Sequence, residues 1–147
     1  MRARIASAGM AMRGFGAAIS VCGSLFACSA ARAIELDGAW ANEETVCPKV
    51  FVRKGNDISV SKSADAFGSG FVIKGNRIRG NIVTCTIRTR KQDSAVLHLH
   101  TVCSTDVALQ DVQFSLRPES EDKITRLFPG MPELDRAYYR CSFKAAQ

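Results

Sequence analysis

From Asp37 onward apolar side chains recur at every second position in short stretches, and no segment keeps them at helical spacing across three turns. Alternation with period two marks strands that bury one face, so the chain is predicted to be all-β. Residues 37–42 make a first strand carrying the lone tryptophan, Trp40, and residues 43–47 one helical turn ended by Pro48. Residues 50–54 and 58–62 flank Gly55-Asn56-Asp57, which tolerate the positive φ of a tight hairpin. Residues 70–74 and 77–79 flank a second such turn at Gly75-Asn76, and Gly80-Asn81 then breaks or bulges the strand.

The longer stretches follow. Residues 82–90 put Val83, Cys85 and Ile87 on one face, residues 91–94 turn the chain, and residues 95–103 put Leu97, Leu99, Thr101 and Cys103 on one face. Val112, Phe114 and Leu116 continue the pattern, residues 118–122 form a polar turn, and residues 123–128 and 136–143 are the last strands. A meander of about eight short strands closes most economically as a small antiparallel barrel, because closure removes unpaired edges. A two-sheet β-sandwich is the alternative architecture. Strands this short imply a barrel small enough for its own side chains to fill.

The stretch ahead of the first strand changes the compartment. Arg2, Arg4 and Arg13 precede an uncharged run over residues 14–31, and Ala31-Arg32-Ala33 is an A-x-A cleavage site, so residues 1–33 read as an export signal. Met10 or Met12 would each begin an equally complete signal. A membrane anchor and a lipoprotein signal ending at Cys28 are the rival readings. Cleavage after Ala33 leaves a single domain over residues 34–147, of a size that builds one modest core. It also removes four of the 20 Lys and Arg residues and no acid, so the net charge falls from +6 to +2. That balance argues against a nucleic-acid-binding protein, and no membrane span remains.

Of six cysteines, Cys22 and Cys28 leave with the signal, while Cys47, Cys85, Cys103 and Cys141 stay. An even number in an exported chain implies two disulfides. A four-thiolate zinc site would draw its ligands in close pairs, and these four come singly. The strand faces favour a register pairing Cys85 with Cys103 and Ile87 with Thr101. That suggests one bridge between neighbouring strands and a second, Cys47 to Cys141, tying the chain ends; other pairings such as Cys47 to Cys85 stay open.

Gly38-Ala39-Trp40 at the start of the first strand, with Arg140 in the last, resembles the lipocalin and wider calycin pattern. The resemblance touches the two ends of the mature chain and its rhythm. It implies a barrel whose end is closed by Trp40, with Arg140 packed across the indole in a cation–π contact. The chain also looks like small exported bacterial proteins with a reduced barrel of this kind, among them inhibitors and lipid-binding modules.

Candidate chemistry is sparse. His98 and His100 share one strand face at the i, i+2 spacing of a chelate; the proposed register places Arg88 and Arg90 beside them, which opposes a metal and favours two solvated histidines. No serine or cysteine stands in a nucleophile motif, and Gly68-Ser69-Gly70 lacks the last glycine of a phosphate cradle. Neither a catalytic residue nor a cofactor is expected. Lys74, Arg77, Arg79, Arg88, Arg90 and Lys91 concentrate positive charge in mid-chain, an attraction for an acidic partner or envelope component. Residues 127–134 place Phe128, Met131 and Leu134 around two prolines and Gly130, either packed over the barrel mouth or offered to a partner. The expectation is a non-enzymatic periplasmic or secreted binding module for an apolar ligand, an envelope component or a protein. The alternative is an inhibitor of a secreted enzyme acting through the 128–134 loop.

Overall fold

A computed structural model describes residues 35–143; the export signal expected over residues 1–33 lies outside them. The alternating stretches form β1 (Gly38–Ala41), β2 (Phe51–Lys54), β3 (Asp57–Val60), β4 (Gly70–Lys74), β5 (Arg77–Arg79), β6 (Thr84–Asp93), β7 (Val96–Ser104), β8 (Leu109–Ser120), β9 (Lys123–Leu127) and β10 (Arg136–Arg140). One four-residue helix, α1 (Cys47–Val50), precedes β2. Eight strands close an antiparallel barrel in the order β1-β10-β9-β8-β7-β6-β5-β4, while β2 and β3 pair only with each other.

The first hairpin therefore stands outside the barrel, although its alternation reads like that of any wall strand. The reason lies in β1. Trp40 points inward, and its neighbours Ala39 and Ala41 face out, small enough to let another layer approach. Val50, Phe51 and Ala64 pack there with Val72 and Cys141 as a second apolar cluster. The chain thus leaves the wall after β1, lays α1 and the hairpin over the outside, and returns at β4, which pairs back onto β1. The Cys47–Cys141 disulfide fastens this layer to the segment that follows β10.

The main core lies inside the barrel and includes Leu36, Trp40, Ile73, Leu99, Leu116 and Ile124. Cys85 and Cys103 are direct partners across β6 and β7, as are Ile87 and Thr101, and the two cysteines form the second disulfide. Both bridges follow the pairing that the strand faces favoured. Two disulfides point to a non-reducing environment. No helix among the described residues is long and apolar enough to cross a membrane.

Two details of register depart from the sequence pattern. A bulge at Arg88, between Ile87 and Thr89, slips the ladder by one residue. His100 consequently faces Thr89 and His98 faces Lys91, so Arg88 and Arg90 are not their cross-strand partners. An extra residue in one strand leaves the local pattern of side chains unchanged on either side of it, so alternation does not reveal it. The second departure is that β8 runs through Pro118 to Ser120, shortening the polar turn. Pro118 sits beside another register shift, where a missing N–H is tolerated.

Candidate functional site

An up-and-down barrel sends its connections alternately to two ends, and here the ends differ. At the first, Trp40 is fully buried and its Nε1–H donates to the Leu36 carbonyl at 2.9 Å. The Arg140 guanidinium lies 4.3 Å from the indole ring. Its Nε–H donates to the Glu121 carbonyl at 2.9 Å, and its terminal nitrogens donate to the carbonyls of Asp37 and Glu35. Asp122 adds a carboxylate at 3.5 Å. Gly38 is required by the same contact: its φ is +145°, and a Cβ there would stand 2.8 Å from an Arg140 terminal nitrogen. This end of the barrel is shut by an indole held between a backbone carbonyl and a cation that donates from all three of its nitrogens.

Behind that plug the interior is hollow. A cavity of about 380 Å³ runs toward the opposite end, walled by Phe71, Val112, Phe114, Leu116 and Tyr138 and by the Cys85–Cys103 bridge. Short strands do make a small barrel, but the bulky side chains concentrate in the layer around Trp40 and leave the other half unfilled. The expectation of a self-filled interior is corrected accordingly. Phe71 meets Tyr138 edge to face, their centroids 4.9 Å apart.

The one cation among the described residues that line the cavity is Arg126. It lies 4.5 Å from the Phe114 ring and 4.6 Å from the Phe128 ring. Among the described residues no carboxylate comes within ion-pair distance of it. Burial pushes its guanidinium below the ordinary value, with the Tyr138 hydroxyl acting in the opposite direction. Arg126 was missed in the sequence because it reads as an ordinary polar position of a half-exposed strand. The signal was its phase: Ile124, Arg126 and Phe128 alternate together, and the first and last of them are apolar.

The mouth is rimmed by the connections that follow β1, β5, β7 and β9. The rim carries nearly all the exposed large apolar side chains of the described residues: Phe67, Ile82, Val107, Leu109, Met131 and Leu134, with Val52 alone elsewhere. Phe128, Met131 and Leu134 therefore stand at the open end. Phe128 turns in to Arg126, while Met131 and Leu134 are 46% and 41% exposed. A 3-10 turn at Pro132–Leu134 and a hydrogen bond from the Phe128 amide to Asp135 Oδ1 at 2.8 Å stiffen that loop. On another part of the rim the Asp65 carboxylate accepts from the Asn81 amide at 2.6 Å.

The remaining candidates lie away from the mouth. Arg90 donates to the Gly75 carbonyl at 2.7 Å, at the tip of the β4–β5 hairpin on the plugged end, and Arg88 is the exposed bulge residue. Adjacent β4 and β5 gather Lys74, Arg77 and Arg79 on the outer wall, where Lys74 faces Asp57 at 3.8 Å. Hence Arg88 and Arg90 form no common surface with Phe128, Met131 and Leu134. His98 exchanges a hydrogen bond with Ser115 at 2.9 Å on the outer face, and Gln113 lies 3.3 Å from the same ring nitrogen. Among the described residues no three metal-ligating side chains converge. Neither a family model, nor a curated protein, nor a solved structure matches this chain.

Proposed function

We propose that this domain is a non-enzymatic binding module of the periplasm or cell exterior, which holds an apolar ligand inside its barrel. The cavity carries the reading. Its volume of about 380 Å³ falls within the roughly 300–1,000 Å³ of small-molecule sites, and such sites combine apolar walls with few polar groups. The plug at Trp40 gives the cavity a floor, the arrangement that the resemblance to lipocalins implies. The two disulfides suit an exported protein. Rim residues such as Ile82 and Val107 give an apolar molecule a path that is not wholly aqueous.

The test uses a neutral apolar fluorophore, N-phenyl-1-naphthylamine, titrated into protein stripped of copurifying lipid. Saturable binding with one site per chain is expected. Val112→Trp, which fills the cavity from β8, is expected to abolish that binding while the β-sheet circular dichroism stays unchanged. Absence of saturable binding by the native protein would overturn the reading.

A further inference from the structure

A cation placed in an apolar cavity and left without a carboxylate carries a desolvation cost that its surroundings do not repay. Arg126 is such a group. Its contacts with Phe114 and Phe128 engage the π-face attraction of the guanidinium, but rings supply no acceptor for the five N–H donors. The Tyr138 hydroxyl is its polar neighbour. Register adds a second charge: Arg136 of β10 is the direct partner of Arg126, and it lies exposed at the mouth. Like charges at directly opposed positions disfavour one another. The nearest cavity-lining acid, Asp65, belongs to another part of the rim and is engaged by Asn81. One guanidinium, that of Arg126, therefore faces an apolar cavity with a second beside it at the mouth, and among the described residues no carboxylate comes within ion-pair distance of either.

We infer that the ligand is an anionic amphiphile, whose chain lies along the Phe71, Val112 and Leu116 walls toward Trp40 and whose head group accepts hydrogen bonds from Arg126. The inference rests on the proposed carriage of an apolar ligand and names its chemical class. A medium-length chain fits, since the cavity is near the small end of the usual range. A carboxylate, sulfate or phosphate head would each present paired acceptors to the planar guanidinium.

The experiment measures displacement of the neutral fluorophore at neutral pH by 1-decanol, decanoate, decyl sulfate and decyl phosphate, which share a chain and differ in head group. Native protein is expected to bind at least one anion about tenfold or more tightly than decanol, the lower end of what a charge-assisted hydrogen bond contributes. Arg126→Met should erase that preference, bringing the affinity for each anion to that of the same variant for decanol, and Arg126→Lys should retain part of it. Which anion leads identifies the head group. Equal affinity of native protein for decanol and all three anions overturns the anionic assignment while leaving carriage of apolar ligands standing. Failure of every chain to displace the bound fluorophore overturns the assignment of an amphiphile, while absence of saturable fluorophore binding overturns the carriage on which it rests. The comparison within native protein decides the matter even if Arg126→Met does not fold, and a preference that survives in a folded Arg126→Met overturns the role of Arg126.

Discussion

The barrel carries an arginine against aromatic rings at each end, and the two arrangements differ in what surrounds the guanidinium. Arg140 covers Trp40 and gives its donors to three backbone carbonyls, with Asp122 alongside. Arg126 touches two phenylalanine rings and faces a cavity, without a carboxylate. The same pairing of cation and ring thus serves opposite ends. Where backbone carbonyls and a carboxylate take up all three guanidinium nitrogens the arrangement is a fastening; where two rings and the Tyr138 hydroxyl are the neighbours, donors remain for the ligand we propose. The difference lies in the neighbouring backbone. The segment before β1 and the β8–β9 turn converge on Arg140, whereas the rim loops leave Arg126 open toward the interior.

The largest effect that this comparison predicts comes from the plug itself. Trp40 is fully buried and hydrogen-bonded to Leu36, so Trp40→Ala removes packing from the middle of the core and opens the floor. A loss of about 3–5 kcal/mol is expected, as for other aromatic truncations in cores, read by urea denaturation of the disulfide-intact protein. A loss below about 1 kcal/mol would mean that the Trp40 end is not the structural one.

The next prediction sets the two arginines directly against each other. Arg140→Met leaves the carbonyls of Glu35, Asp37 and Glu121 without their donor and removes the cation over the indole, costing about 2 kcal/mol. Arg126→Met exchanges two cation–π contacts for release of an unpaired, partly desolvated charge, so in ligand-free protein stability should change by less than about 1 kcal/mol or rise. Paired denaturation curves check this. Equal losses from both substitutions would erase the distinction between fastening and receptor.

The contrast also explains what the sequence made legible. Alternation revealed the wall strands and the inward phase of Cys85 and Cys103, because each depends on residues close together in the chain, whereas the Trp40 floor was an implication of the lipocalin resemblance carried by Gly38-Ala39-Trp40 and Arg140. The outside position of the 50–62 hairpin was hidden, since it depends on the small outward residues Ala39 and Ala41 of a different strand. The bulge at Arg88 was hidden because both sides of it keep period two. Arg126 was legible only as a phase, between Ile124 and Phe128. That the charge faces a cavity depends on how much space the side chains of seven other strands leave, and no local pattern records that quantity.

The smallest predicted effect concerns the outer face of the plugged end. Glu119 accepts a hydrogen bond from the Thr125 hydroxyl at 2.6 Å and pairs with Lys123 at 2.9 Å and Arg117 at 3.4 Å. The Thr125 bond is the first cause, and the Lys123 ammonium the next, that lower its carboxyl to about 2. These contacts brace the β8–β9 hairpin, whose turn supplies the Glu121 carbonyl and the Asp122 carboxylate to Arg140. A carboxylate whose folded value lies below its unfolded value adds stability that is fully present above the unfolded value and is lost as pH falls toward the folded one. The contribution should therefore hold at neutral pH and fade between the ordinary carboxylate range and about pH 2. Because Glu119 is solvent-exposed, the effect is small and screened by salt. Thermal melts in acid should show a shallower loss of Tm with falling pH for Glu119→Gln than for native protein, and added salt should narrow the difference. Identical acid limbs for the two proteins would show that the brace does not stabilise the hairpin, leaving Arg140 to hold the plugged end without its help.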